Sequence, residues 1–208
     1  MPEKGLFMRV ILASKSPRRR ELLSELFSEF DIIVRDCDES LGRMSARDGV
    51  RELARKKGRA TYDYLLSDSS AIAGENPDLA LIISSDTLVE CDGLPLGKPR
   101  GREDAEWMLN MLSGRGHRVH TGVAVHYGGR CVSGVATTEV FFKELSREDI
   151  DEYIKTGEPF DKAGSYGIQG EAGKFVTHIN GDMDTVIGLS LSLVSELCDK
   201  ILEGDTGE

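Results

Sequence analysis

Residues 9–23 read Arg-Val-Ile-Leu-Ala-Ser-Lys-Ser-Pro-Arg-Arg-Arg-Glu-Leu-Leu, a short apolar strand that turns through two hydroxyls, Ser14 and Ser16, into a helix opening on three arginines. A strand that feeds directly into a helix is the repeating step of an α/β fold. Ser16 is a good N-cap and Pro17 suits the first helical position, so Arg18, Arg19 and Arg20 fall in the first turn. Cations at that end oppose the helix dipole by roughly 0.3–1 kcal/mol each, whereas free backbone N–H groups and guanidinium forks together cradle a phosphate. A site for a multiply charged phosphate ester and a row of solvated arginines are both compatible with this segment.

Beyond this segment, Leu22, Leu23, Leu26, Phe27 and Phe30 continue the first helix as an apolar stripe, and residues 30–34 read as a second strand. Val50, Leu53, Ala54, Lys57 and Thr61 recur at helical spacing, which sets a lysine in an apolar face. Residues 67–78 are a loop, and 79–84 are a nearly unbroken apolar run, as in a strand buried on both sides. A helix over 103–112 follows, then alternating stretches at 119–127 and 132–142 joined by Gly128-Gly129, the signature of a long hairpin. Ser146 and Asp149 form a capping box opening a helix that stops at Gly157. A strand at 175–179, a turn at Asn180-Gly181 and a helix through Leu191, Val194, Leu197, Cys198 and Ile201 complete the chain, with a tail from Glu203 that frays. Early alternation interrupted by a long hairpin predicts a mixed sheet flanked by helices, in one domain of two lobes with a central cleft.

The 208 residues suffice for one sizeable core, and no internal repeat divides them. A formal net charge of −10 argues against sequence-independent binding to nucleic acid or to an anionic membrane. A basic pocket inside an acidic body suits a small anionic ligand better. Met-Pro-Glu-Lys-Gly at the start has no signal pattern, and no apolar run reaches the ~20 residues of a membrane span, so a cytoplasmic protein is expected. Cys37, Cys91, Cys131 and Cys198 are too far apart in sequence for a zinc or redox motif and are read as free thiols. His117 and His120 lie in an alternating strand at an odd separation, which points them to opposite faces.

Asp86 follows the buried strand in Ser85-Asp86-Thr87, where a carboxylate serves as general base, as metal ligand or merely as a turn residue. Gly93-Leu94-Pro95-Leu96-Gly97-Lys98-Pro99 is not a P-loop, because its glycines are one residue too close and Pro99 stands where Ser or Thr is required. It still holds Lys98 on a stiff segment. Lys57 needs an anion or water for its ammonium group. Residues 160–170 contain three glycines, the ion-pair candidates Asp161 and Lys162, and Gln169, whose amide can read a base edge. With Asp36, Asp38 and Glu39 as a further acidic cluster, the inventory suits metal-assisted phosphate chemistry with water as nucleophile.

In order along the chain, residues 12–19, the Ser-Asp-Thr and Gly-Lys-Pro segments, residues 112–123 and residues 161–170 resemble the Maf family of nucleoside triphosphate pyrophosphatases, of the inosine-triphosphatase-like fold group. The resemblance implies hydrolysis of a nucleoside triphosphate to monophosphate and pyrophosphate with a divalent cation, Mg²⁺ or Mn²⁺. It implies Asp86 as proton acceptor, and Glu39 with Asp86 as metal holders. Arg18, Thr87 and Gln169 match positions of substrate choice, and Arg19, Lys57 and Lys98 match phosphate-neutralising ones. Ser14 and Ser16 join these as substrate-binding candidates. Thr87 resembles the branch acting on dTTP and UTP, whereas the branch preferring 7-methyl-GTP resembles Ser-Asp-Gln there. The family also implies a homodimer, and its association with septum formation keeps open a nucleotide-binding regulator as an alternative. Gly116, Met183 and Ser190 depart from the usual Thr, aromatic residue and Pro, and Met183 is expected to alter base packing.

Overall fold

The computed structural model describes residues 8–40 and 42–204, apart from the side chain of Ser69. The first seven residues and the tail beyond Gly204, on which the readings of the N-terminus and of fraying rest, lie outside them. Strand β1 (Arg9–Leu12) runs into helix α1 (Pro17–Leu23), whose N-cap Ser16 accepts from the Arg19 N–H. The expected stripe reached Phe30, but the helix stops at Leu23. The Ser24 hydroxyl donates to the Glu21 carbonyl at 2.6 Å, competing with the backbone ladder, and leaves Leu26 exposed. Strand β2 is only Asp31–Ile32, shorter than the expected 30–34, because its register against β1 ends with Leu12↔Ile32.

Helix α2 (Ala46–Ser67) is capped by Ser45 and buries Val50, Leu53, Ala54 and Thr61 as the periodicity predicts. The following loop contains two short 3₁₀ turns and drives Ile72, fully buried, against Tyr62 and Leu65. Strand β3 (Ala80–Cys91) is much longer than its apolar run. The sequence reading ended it at Ser84; the strand continues through Asp86 because its serines are satisfied where they lie. Ser84 donates to the Ala54 carbonyl at 2.7 Å, and the next strand pairs with β3 from Ile82 to Glu90. Asp92 (φ 50°) and Gly93 (φ 77°) then turn the chain into β4 (Leu94–Leu96), so the first part of the stiff segment that holds Lys98 is the return arm of a hairpin.

Helix α3 (Arg102–Leu112) precedes the predicted long hairpin, β5 (Gly116–Tyr127) and β6 (Arg130–Phe142). Helix α4 (Arg147–Lys155) carries the predicted capping box. Three 3₁₀ turns between Glu158 and Phe175 lead to β7 (Val176–Asn180), the unforeseen short helix α5 (Met183–Ile187) and α6 (Leu191–Leu202). Ser190, the departure from Pro, caps α6 through its hydroxyl.

The mixed sheet has seven strands in the order β2-β1-β3-β5-β6-β7, with β4 added beside β3. Only β1 pairs in parallel, with β2 and with the start of β3. Helix α2 covers one face. On the other, α1 and α6 pack over the parallel half, while α3 and α4 form a second apolar cluster over the distal half. Among the described residues no helix is long and apolar enough to cross a membrane, and the four cysteines are free.

Two histidines make stability depend on pH. Burial drives His117 and His126 down from the ordinary 6.5 to about 4, with Arg59 and Arg55 adding to the effect at His126. The unfolded chain therefore binds more protons than the folded one between about pH 6.5 and 4, so stability is full above that window and falls as pH drops through it. The slope approaches about 1.4 kcal/mol per pH unit for each group. Urea midpoints measured from about pH 7.5 down to 5 are expected to decline below 6.5, and less steeply in His126→Gln. Midpoints level across that range would contradict buried neutral imidazoles.

Candidate active site

The pairing of β3 creates the site. Its first four residues, Ala80–Ile83, have β1 on one side, and its last three, Val89–Cys91, have β4 there. Residues 84–88 pair only with β5, leaving one edge free where β1 has ended and β4 has not begun. Ligands of α/β sheets bind beyond the carboxyl ends of parallel strands, and this gap is such a place. A cleft of about 710 Å³ opens there.

Alternation along β3 sends Asp86 and Thr87 to opposite faces of the gap. Asp86 meets α2, where the Lys57 ammonium lies 2.5 Å from its Oδ1 and 3.2 Å from Glu39 Oε1 on the β2–α2 loop. Lys57 and Asp86 are largely buried, whereas Glu39 is exposed. Of the acidic cluster, only Glu39 lines the cleft; Asp38 instead binds Ser40 and Lys56.

Thr87 meets α1. There Arg19 spends its fork on the fold: Nε donates to the Gly188 carbonyl (2.8 Å), Nη1 to the Ser85 carbonyl (2.8 Å) and Ser14 Oγ (3.3 Å), and Nη2 to Thr87 Oγ1 (3.2 Å). Four of its five N–H groups are committed, leaving one on Nη2 for a ligand. Burial lowers the Arg19 pKa, which Asp86 partly offsets. A glycine is required at residue 188 (φ 131°), where a Cβ would lie 3.4 Å from Arg19 Nε.

Ser16, Arg18, Lys98 and Gln169 also line the cleft, so it gathers every sequence-derived site residue except Ser14. Ser14 is buried beneath, accepting from Arg19 and from the Ser16 N–H. Arg18 reaches across to Asp161 at 3.8 Å, and Asp161 pairs with Lys162 at 2.6 Å. Arg20 is exposed, and Met183 is exposed outside the cleft lining, contrary to its expected effect on base packing. His117 bonds Tyr166 and His120 bonds Thr137, on opposite faces as expected. Sequence reasoning missed Thr121, Thr185 and Gly188. Thr121 resembled any other member of an alternating strand, and the other two sit around a helix too short to show periodicity.

Five cationic side chains (Arg18, Arg19, Lys57, Lys98, Lys162) face four carboxylates (Glu39, Asp86, Glu158, Asp161) in the cleft. That near balance is too little charge for a polyphosphate alone and leaves room for a divalent cation. Asp86 and Glu39 offer hard oxygen donors and already share one cationic centre, the Lys57 ammonium. Among the described residues no group of three or more potential ligands exists. Two carboxylates, with the remaining positions filled by phosphate and water, is a donor set suited to Mg²⁺ or Mn²⁺.

Fold and site together define a class: α/β proteins with a cation-lined cleft around one largely buried carboxylate, beyond the parallel strands of a mixed sheet. Within that class the chain belongs to the Maf family, whose Maf-like protein model matches residues 9–201. It is 45% identical over 188 residues to a dTTP/UTP pyrophosphatase of Thermococcus onnurineus, covering 90% of this chain and 95% of that one. Proteins of the same name from Vibrio vulnificus and Bacillus anthracis are 43% and 44% identical, covering 93% and 91% of this chain and 99% and 94% of theirs.

Proposed function

We propose that the protein hydrolyses a nucleoside triphosphate of the dTTP/UTP type to the monophosphate and pyrophosphate. The observation that carries this reading is Asp86, one carboxylate set in the vacated edge of β3 and ringed by phosphate-seeking cations. Water attacks the α-phosphorus, Asp86 accepts its proton, and the bond to the β-phosphate oxygen breaks so that pyrophosphate leaves. Lys98 and Lys57 take up the charge on the leaving group, and Arg18 stands with the residues of substrate choice. Arg19 contributes its remaining N–H and fixes the Thr87 side of the cleft. Ser16, at the N-terminus of α1, offers its hydroxyl and nearby backbone donors. Gln169 and Thr87 face the base.

A divalent cation held by Asp86 and Glu39 would polarise the phosphate and lower the pKa of bound water. Lys57, which now stands between those carboxylates, would turn its ammonium to the phosphates. Residues 1–208 are read as one Maf-like domain of two lobes, supported by the single sheet and by the two apolar clusters on its shared face. Four free thiols suit a reducing compartment and support a cytoplasmic location. A homodimer follows from the family resemblance, and the net charge of −10 speaks against nucleic acid or anionic membrane as partner.

Product analysis over a nucleotide panel with Mg²⁺ or Mn²⁺ is expected to show monophosphate and pyrophosphate, with dTTP and UTP preferred. Orthophosphate plus a diphosphate, or tight binding without turnover, would overturn the assignment. Preference for 7-methyl-GTP would overturn the substrate class alone.

A further inference from the structure

Under the face of β3 that carries Thr87, two hydroxyls and a carbonyl form a chain whose proton directions can be worked out. Thr121 is fully buried, and its Oγ1 lies 2.7 Å from the Thr185 carbonyl and 2.9 Å from Thr87 Oγ1. A carbonyl only accepts, so the single Thr121 proton goes to Thr185. In the contact between the two threonines Thr87 must then be the donor, since otherwise two lone pairs would face each other at 2.9 Å against the fully buried Thr121 hydroxyl. Its other destination, the Gly188 carbonyl at 3.5 Å, already takes Arg19 Nε at 2.8 Å and Ser85 Oγ at 3.0 Å, which fills both its lone pairs. Arg19 Nη2 occupies one lone pair of Thr87. What Thr87 has left for the cleft is one lone pair and a methyl group, with no proton.

We propose that Thr121 is a positioning residue for substrate choice: by taking the Thr87 proton it makes Thr87 a hydrogen-bond acceptor toward the ligand. The site then selects a base that presents a ring N–H, such as N3–H of thymine or uracil, over cytosine, whose N3 carries a lone pair. A free hydroxyl at residue 87 would rotate to suit either base. The hydroxyl type alone therefore confers no discrimination of this kind; the buried chain behind it does. This inference rests on the pyrophosphatase reading for its substrates, although the polarity itself is a property of the folded chain.

Two arms test it. With the unmodified protein, N3-methyl-dTTP and dCTP are each expected to show kcat/KM about tenfold or more below dTTP, the effect of one unmade hydrogen bond in a desolvated site. Equal use of N3-methyl-dTTP and dTTP would overturn the proposal without any variant having to fold. In Thr121→Val the Thr87 proton is released, and the dTTP/dCTP ratio is expected to fall about tenfold, mainly through KM, while Thr121→Ser restores it. An unchanged ratio in a folded, active Thr121→Val would also overturn it. Calorimetry with α,β-methylene dUTP and dCTP separates this inference from the reading it rests on. Selective binding by the unmodified protein that vanishes in Thr121→Val would uphold the polarity even if no pyrophosphate were ever released.

Discussion

Asp86→Asn is expected to lower kcat for pyrophosphate release by about 10³-fold while the protein stays folded, the scale of losing a positioned general base. The amide has the same shape and keeps an acceptor oxygen for the Lys57 ammonium, which also has Glu39 at 3.2 Å. The change therefore does not strand a buried charge, and the thermal midpoint should move by only a few degrees. What the amide cannot do is take a proton from water. Steady-state turnover measured beside a thermal melt makes the distinction: activity within about tenfold of the parent would remove Asp86 from the proton-transfer step, where a base contributes 10²–10⁴.

Gly122→Ala is expected to be the most damaging small substitution in the fold. A Cβ on Gly122 would fall on the Val50 carbonyl group and lie 2.7 Å from the Arg51 backbone nitrogen, so α2 must move off β5. Backbone cannot rotate aside as a side chain can, and overpacking of this kind costs roughly 3 kcal/mol or more. For a chain of this size that lowers the melting midpoint by about 10 °C. Gly97→Ala, where a Cβ meets nothing within 4 Å, is the matched control for stability. Because α2 also carries Lys57, residual folded Gly122→Ala should lose turnover beyond its loss of stability. A midpoint within about 1 °C of the control would mean that α2 and β5 are not held as closely as their backbones indicate.

Periodicity and cap chemistry made most elements legible in the sequence. The 119–142 hairpin, the capping box at Ser146 and the burial of α2 depend only on neighbours a few residues away. What stayed hidden depended on distant partners. Strand β3 seemed to end at Ser84 because Ser84 and Ser85 are polar, and only the Ala54 and Gly188 carbonyls, contributed by α2 and by the α5–α6 junction, make them acceptable inside a strand. The phosphate-seeking character of Arg19 is legible because arginine type and helix position are local signals, whereas the four partners that occupy most of its fork are not. The candidate site was legible by residue type and incomplete in its wiring. Thr121 and Thr185 have no feature in sequence that separates them from ordinary threonines.

The Arg19–Gly188 hydrogen bond joins residues 169 positions apart. Loop-closure entropy rises with the length of chain enclosed, and contacts of high sequence separation form late when a chain folds. The β5–β6 hairpin needs only a two-glycine turn, while the floor under Thr87 needs both ends of the polypeptide in place. A nascent chain still short of Gly188 can own its hairpin and much of its sheet and yet lack a formed cleft. Competence to engage a ligand thus arrives last, as a seal on completed folding.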